Sequence, residues 1–224
     1  LGSVYNNVSL PVTMMAWVKV GTSNYNPIFS SSQHPSSYHG FWMNCGPSRV
    51  TAAFGDGTGA FTPAARNSKA ANLSFTFNPN EWYHVCAVIR GAGDMDIYVN
   101  GVDQGGNYSG SATSMVNNPS GDANIGYHRR QTQEFYEGSI DELKVFDAGL
   151  SATEVRTEMC RKANPNNPNL LGAWDFNEPF NAPQFDDLST NGNDGNRAGG
   201  AVSILSGAAV GDTSVFIYPL TING

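Results

Sequence analysis

Residues 81–101 read EWYHVCAVIRGAGDMDIYVNG, and this stretch decides the fold class. Residues 82–90 are rich in apolar, β-branched and aromatic side chains, residues 91–94 form a turn, and residues 95–99 return as a second strand. The Asn100-Gly101 pair favours a type I′ turn, whose twist matches antiparallel strands. The stretch therefore predicts an antiparallel hairpin that is followed directly by another.

Further strand patterns recur on both sides of this hairpin, separated by turns about every ten residues. They cover residues 13–20, 41–44, 49–54, 73–77, 123–126, 139–146, 170–176 and 213–218. Many short strands at this spacing are typical of a two-sheet antiparallel sandwich or jelly roll. The sequence therefore predicts an all-β fold of that kind.

A single helix interrupts the strand pattern. Ser151 lies three residues before Glu154, which is the spacing of a capping box, and the Asn164-Pro165 pair marks a boundary beyond it. We therefore predict one short capped helix near residues 152–162.

Composition limits the partners. The 224 residues include 12 lysines and arginines against 19 acidic residues, for a net charge of −7. A nucleic-acid-binding surface needs clustered basic side chains, so we expect no nucleic acid partner. We also expect no membrane insertion, because no apolar run approaches the roughly 20 residues that a spanning helix needs.

Two features of the chain leave questions open. Cys45, Cys86 and Cys160 could form one disulfide and leave one thiol, or could all remain thiols, and no zinc-ligand spacing is present. Residues 1–7 lack the pattern of a signal peptide. We therefore expect the chain to be a piece of a longer protein.

Four blocks of the sequence resemble the laminin-G-like, concanavalin-A-like lectin jelly-roll domains of bacterial surface proteins. Residues 81–101 are similar to the WHHVA…YVNG hairpin of that family, and GSIDELKVFDAGLSATE at residues 138–154 is similar to its G.IDEVRIYNRALSA.E ending. Residues 13–20 resemble its FT.EAWVK strand, and residues 171–195 resemble its YW.FDEG…D.SGNGNDG segment. The four blocks cover most of the chain.

The order of the blocks departs from the family in one respect. In many members the YW.FDEG segment opens the domain, whereas here it follows the helix. The favoured interpretation is one domain over residues 1–224, in which residues 170–218 fold back as edge strands, because Trp174 and Phe176 otherwise have nothing to bury against. The alternative is a domain at residues 1–163 followed by the start of a second repeat.

The resemblance implies a secreted or cell-surface, non-catalytic module for adhesion or glycan binding, with an unidentified glycan or surface protein as its partner. One alternative is a structural or protein-interaction repeat without a small ligand. A second is a carbohydrate-active enzyme, but the E-x-D-x-x-E spacing of the retaining hydrolases in this superfamily is missing. The nearest acidic cluster has the wrong intervals: Glu134, Glu137, Asp141 and Glu142.

Two polar-aromatic loops are candidates for a sugar site, at residues 34–42 (HPSSYHGFW) and 127–136 (YHRRQTQEFY). Sugars stack on aromatic rings and hydrogen-bond to planar polar groups. The alternative is that Trp42, Tyr127 and Tyr136 only pack in the core. The predicted ligand-binding set is Tyr38, His39, Trp42, Tyr127, Arg129 and Tyr136.

A structural Ca²⁺ ion is also implied by the resemblance. Asp141 occupies the aspartate of the family's I-D-E strand, which holds calcium together with carbonyl groups of the FDE segment, here near Glu178. Calcium prefers six to eight oxygen ligands, and a buried carboxylate is costly unless it is paired. The predicted metal ligands are therefore Asp141 and Glu178. The alternative is that Asp141 only accepts backbone N–H groups.

Overall fold

The computed structural model describes residues 1–32, 34–129 and 133–210. Within these ranges, sixteen strands and one α-helix follow one another. The strands are β1 (Val12–Val20), β2 (Asn26–Ser30), β3 (Phe41–Gly46), β4 (Arg49–Gly55), β5 (Arg66–Asn72), β6 (Tyr83–Gly91), β7 (Asp94–Val99), β8 (Val102–Asp103), β9 (Asn107–Gly110), β10 (Asn124–Ile125), β11 (Tyr127–Arg129), β12 (Gln133–Phe135), β13 (Gly138–Phe146), β14 (Leu170–Trp174), β15 (Gln184–Phe185) and β16 (Gly195–Asn196). The helix α1 is Ala152–Met159.

Two six-stranded antiparallel sheets form the body of the molecule, which confirms the predicted β-sandwich. The first sheet has the order β14-β13-β1-β6-β7-β8 and the second β10-β2-β3-β4-β5-β9. Alternate residues of facing strands, such as Met14 and Val18 of β1 and Phe41 and Met43 of β3, meet in one core cluster. This alternation is what a strand with a buried face requires.

The decisive hairpin is present as predicted. Strand β6 pairs with β7, and β7 pairs with β8 across the Asn100-Gly101 turn. Both turn residues have positive φ angles, 48° and 74°, as a type I′ turn demands. The Asn100 side chain also accepts a hydrogen bond from the backbone N–H of His84, which ties the turn to β6.

The helix α1 covers the outer face of the first sheet. Its Val155 packs in a second apolar cluster with Met15, Cys86 and Phe146. The predicted capping box is formed, since Ser151 and Glu154 exchange both hydrogen bonds. Strand β1 is therefore buried on both faces, whereas no helix of the described residues covers the outer face of the second sheet.

The helix ends at Met159 instead of continuing to residue 162, and side chains of the first sheet bind carbonyl groups at and just beyond its end. Lys144 Nζ donates to the carbonyls of Glu158, at 2.8 Å, and of Arg161. Trp17 Nε1 donates to the carbonyl of Met159 at 3.0 Å. Carbonyl groups at a helix C-terminus have no N–H donor within the helix. Side chains of the first sheet supply the donors here.

The segment that begins at Leu170 pairs with the first sheet. Strand β14 lies antiparallel to β13, with Leu143 opposite Trp174 and Lys144 opposite Ala173. Trp174 is 1% exposed and belongs to the main core. This pairing is the one that the single-domain interpretation predicts for residues 170–176, and the predicted strand at 213–218 lies outside the described part of the chain.

A loop at residues 187–193 covers the free edge of β14. The Asp187 carboxylate accepts hydrogen bonds from the backbone N–H groups of Ala173, Ser189 and Asn193, each within 2.9 Å, and from the Ser189 hydroxyl. The side-chain amide of Asn191 donates to the carbonyls of Leu170 and Leu171. Side chains of this loop therefore satisfy backbone groups that a neighbouring strand would otherwise pair with.

Some local predictions were wrong or incomplete. Residues 73–77 do not form a strand; they cross the end of the second sheet, where the N–H groups of Leu73 and Phe77 bond to the carbonyls of Ser48 and Pro47. The side chains of Leu73 and Phe77 are buried there without strand pairing, whereas Phe75 is exposed. The apolar residues of this segment gave the pattern of a strand. The neighbouring strand β5 is mostly polar and did not give that pattern.

The three cysteines are all thiols, and Cys45 and Cys86 are fully buried. Burial raises the pKa of both, as expected for groups that become charged when they lose a proton. Of the two possibilities left open by the sequence, the structure has three unpaired thiols.

Candidate functional site

The outward-facing side chains of β3, β4 and β5 form the floor of the candidate site. The register places Trp42, Ala53 and Ser68 side by side in one row, and Asn44, Thr51 and Ala70 in the next. Their sequence neighbours Phe41, Met43, Cys45, Val50 and Ala52 point into the core. Because successive side chains of a strand alternate, the core positions determine which residues face outward.

A row of five aromatic rings crosses this face. Trp42 lies 5.2 Å from Tyr38 and 5.4 Å from His128, measured between ring centroids. Tyr25 stacks on His128 at 6.0 Å and donates or accepts a 2.7 Å hydrogen bond with its Nδ1, and Phe61 meets Tyr38 edge-on at 4.9 Å. We call this set the aromatic row: Tyr25, His128, Trp42, Tyr38 and Phe61.

Packing within the aromatic row limits how its rings can contact a sugar. Tyr38 is 7% exposed and Trp42 is 5% exposed, so neither ring offers a free face for stacking. Edge and side contacts with a ligand remain possible for such rings, but the face contacts are made within the protein. These two predicted residues therefore act as a wall of the site.

Beside the aromatic row lies a groove of about 160 Å³, which we call the outer groove. It is lined by Asn24, Tyr25, Tyr38, Trp42, Asn44, Gly46, Arg49, Thr51, Ala53, Arg66 and Ser68. The residues on its floor stand on three adjacent strands, so their positions are fixed by the sheet. No carboxylate is among the lining residues.

Asn44 stands out on the floor of the outer groove. It is 5% exposed, yet none of the described residues hydrogen-bonds its side-chain amide. Its amide atoms are not among the enclosed polar atoms that lack a partner, so solvent in the groove reaches them. The Asn44 amide, with two donors and one acceptor, is thus free to bind a ligand that enters the groove.

A larger cavity of about 330 Å³ lies on the other side of β11. Alternation along this strand directs His128 towards the outer groove, and its neighbours Tyr127 and Arg129 line the cavity. The remaining lining residues lie mostly in loops: His34, Pro35, Asn118, Ser120, Asp122 and Asn124. We assign the candidate site to the outer groove, because its floor is built on strands.

The other predicted ligand-binding residues lie elsewhere. Tyr136 donates a 2.9 Å hydrogen bond to the carbonyl of Lys19 and packs against the main core, and burial raises its pKa well above the usual range. His39 is half-buried, 5.0 Å from the ring of His34, and burial together with His34 lowers its pKa. The structure therefore separates the six residues into the outer groove, the larger cavity and structural positions.

The two predicted calcium ligands each accept a local hydrogen bond from a backbone N–H group. Asp141 is 6% exposed, and its carboxylate accepts a 2.8 Å hydrogen bond from the N–H of Glu142. Glu178 binds the N–H of Asp186 through Oε1, while its Oε2 is buried without a partner. Among the described residues no group of three or more acidic, histidine or cysteine side chains is arranged to hold a metal.

Burial and neighbouring carboxylates favour the protonated form of the acidic groups around Asp141. Burial raises the pKa of Asp141, and nearby Asp175 adds to the rise. Burial likewise raises the pKa of Glu142 to about 7; Lys144 opposes this rise, while Asp141 and Asp175 add to it. Glu142 lies at a bulge in β13 with a φ angle of 47°. A Ca²⁺ ion here would relieve the repulsion, taking most of its oxygen ligands from carbonyl groups and water.

Comparison with known proteins identifies the family. The Laminin_G_3 family model, described as the concanavalin A-like lectin/glucanases superfamily, matches residues 3–156. The chain therefore belongs to this family. No sequence among the curated proteins matches the chain.

Several solved structures are similar to this chain at low sequence identity, and the first, with a TM-score above 0.5, shows the same fold. A Bacteroides ovatus protein assigned as carbohydrate binding is similar at a TM-score of 0.58 and 14% identity, over 89% of this chain and 57% of that one. The CBM40 module of the Ruminococcus gnavus IT-sialidase, bound to α2,3-sialyllactose, gives a TM-score of 0.48 and 12% identity over 67% of this chain and 83% of that one. Mouse laminin α1 domains LG4-5 give 0.44 and 10% over 61% and 35%. The chain thus spans little more than half of the first of these proteins.

The sequence prediction missed several groove residues, namely Asn44, Arg49, Arg66 and Ser68. A signal for Asn44 was present, because the alternation of Phe41, Met43 and Cys45 places residues 42 and 44 on the opposite face of the strand. Arg66 and Ser68 could not be placed in the same way, since the polar strand β5 was not predicted.

Proposed function

We propose that the protein is a non-catalytic glycan-binding module that holds an oligosaccharide in the outer groove. The observation that supports this most directly is Asn44, a buried side-chain amide without a hydrogen-bonding partner among the described residues, at the floor of an open groove. A sugar carries adjacent hydroxyl groups that both donate and accept, as an amide requires. The hydroxyl of Thr51 and the edges of the aromatic row supply further contacts.

The proposed module is part of a secreted or cell-surface protein, in keeping with the family. Among the described residues no helix has the length and apolar character needed to cross a bilayer. We also propose that Ca²⁺ binds beside Asp141 and stabilises the fold, remote from the sugar. In this proposal the ion takes no part in ligand contact, because the outer groove lies on the second sheet and Asp141 on the first.

The test is retention of the protein on immobilised polysaccharides and a glycan array, with Asn44→Leu as the key variant. Leucine has the same branched shape as asparagine, although it is somewhat larger, and it cannot hydrogen-bond, so affinity should fall by about tenfold or more. Asn80→Leu is the control, because Asn80 is an exposed residue of the turn before β6. Circular dichroism and melting curves establish that both variants are folded.

Two results would contradict the proposal. One is equal affinity of Asn44→Leu and the parent protein for every glycan retained. The other is that no glycan is retained at all, in which case a structural or protein-interaction role is the better account. Sugar release from a polysaccharide would instead support the enzyme alternative, and we expect none.

A further inference from the structure

The charge of the outer groove differs from that of the whole chain. The protein carries 19 acidic and only 12 basic residues, but Arg49 and Arg66 both line the groove and no carboxylate does. Neither arginine forms an ion pair with a described carboxylate. Two uncompensated positive charges are therefore directed at the place where the proposed ligand lies.

The two arginines lean towards each other along the β4–β5 pair. Arg49 Nε donates to the Thr51 hydroxyl at 3.2 Å, and Arg66 Nη1 donates to the Ser68 hydroxyl. The register places Arg49 opposite Asn72 and Arg66 opposite Gly55, at the two ends of the groove. Each side chain is thus tied to the hydroxyl two residues nearer to the centre.

The distance between Thr51 and Ser68, whose hydroxyls hold the two arginines, follows from strand geometry. Thr51 and Ser68 stand in adjacent outward-facing rows, about 7 Å apart along the strands and about 5 Å apart across them. Asn44 lies in the same row as Thr51, beside it on β3. One oligosaccharide can therefore reach the Asn44 amide and both guanidinium groups.

The remaining donors of both arginines suit an acidic ligand. A guanidinium group has five N–H donors in a rigid fork that matches carboxylate and sulfate oxygens. The bond to Thr51 uses only the Nε–H of Arg49, and the bond to Ser68 uses only Nη1 of Arg66. The tethers also hold the forks in place, so less side-chain entropy is lost when a ligand binds.

We propose that the outer groove selects acidic saccharides, meaning sugar chains that carry uronate carboxylates or sulfate esters, and that Arg66 and Arg49 bind these acid groups. The proposal rests on the glycan-binding function proposed above. Arg66 is half-buried and Arg49 is exposed, so Arg66 makes the stronger contribution, because contacts of exposed charges are weakened by solvent.

The experiment compares acidic and neutral forms of the same sugar chain by isothermal titration calorimetry. Oligogalacturonides and their methyl esters form the uronate pair, and dextran sulfate and dextran form the sulfate pair. Acidic forms should bind at least about tenfold more tightly, and higher salt should weaken their binding as it screens charge. Poly-L-glutamate tests whether the groove accepts any polyanion.

The variants test whether binding depends on Arg66 and Arg49 or on the overall charge of the protein. We expect Arg66→Gln to weaken binding of the acidic form about tenfold and Arg49→Gln about threefold, with no change for the neutral form. Arg66→Lys should recover part of the loss, since lysine keeps the charge but lacks the fork. Arg156→Gln, on the exposed side of helix α1, is the control and should bind like the parent protein.

The outcomes distinguish this inference from the proposed function. Equal binding of acidic and neutral chains, lost in Asn44→Leu but unchanged in both arginine variants, would overturn the acidic selectivity and leave glycan binding intact. Binding of polyglutamate as tight as that of oligogalacturonide would overturn the assignment to a saccharide. Absence of binding to every sugar probe would overturn both proposals.

Discussion

Replacing Trp174 with alanine should lower the free energy of unfolding by about 3–5 kcal/mol, the usual cost of a large aromatic lost from a core. Trp174 is 1% exposed and packs in the main core although it follows the family match, which ends at residue 156. An aromatic side chain buries about 150–250 Å², worth roughly 4–6 kcal/mol at about 25 cal/mol per Å². Alanine keeps only a small part of this.

Urea unfolding followed by circular dichroism measures the loss, and calorimetry should show a fall in melting temperature of about 6–20 °C for a domain of this size. Trp82→Ala is the matched control, because Trp82 is half-buried and contacts Lys19 by a cation–π interaction at 5.2 Å. That variant should lose about 1 kcal/mol or less. Equal, small losses in both variants would show that strand β14 is not part of the cooperative core.

Three more predictions concern polar groups. Asp187→Asn should cost about 2–3 kcal/mol in urea unfolding, because an amide cannot accept all four of the hydrogen bonds that Asp187 accepts; exposed Asp186→Asn should cost little, and equal losses would refute the reasoning. Burial lowers the pKa of His84 to about 3, so the unfolded state binds a proton that the folded state refuses. Stability should therefore fall as pH drops from about 6.5 towards 3, by at most about 5 kcal/mol. This slope should be missing in His84→Phe, and parallel pH profiles would contradict it. Calcium should raise the melting temperature by several degrees, worth about 2.7 kcal/mol at 100 times Kd, and Asp141→Ala should abolish the effect; a curve that EDTA leaves unchanged would refute the calcium proposal.

The sequence was informative where apolar alternation and turn chemistry agree. The Asn100-Gly101 turn and the Ser151 capping box were predicted because local bonds determine both. The pairing of Leu170–Trp174 with the first sheet was also expected, from the need to bury Trp174. In each case few structures satisfy the local hydrogen bonds or bury the aromatic side chain.

The candidate site was less predictable, because strand register and burial decide it. Trp42 and Tyr38 line the outer groove, but the sequence does not show that His128 packs against Trp42. Arg49 of β4 and Arg66 of β5 face the same groove only because the register of these strands pairs Gly55 with Arg66. That register depends on long-range contacts, which no local pattern contains.

The loop over the edge of β14 has a consequence for how such modules behave at high local concentration. An open edge strand offers N–H and C=O groups to any other strand, which promotes polymerisation and domain exchange. Here the carboxylate of Asp187 and the amides of Asn191 and Asn193 bind those groups. Side chains cannot propagate a sheet, so copies of the module can stand next to each other in a tandem array or on a crowded surface without joining through this edge.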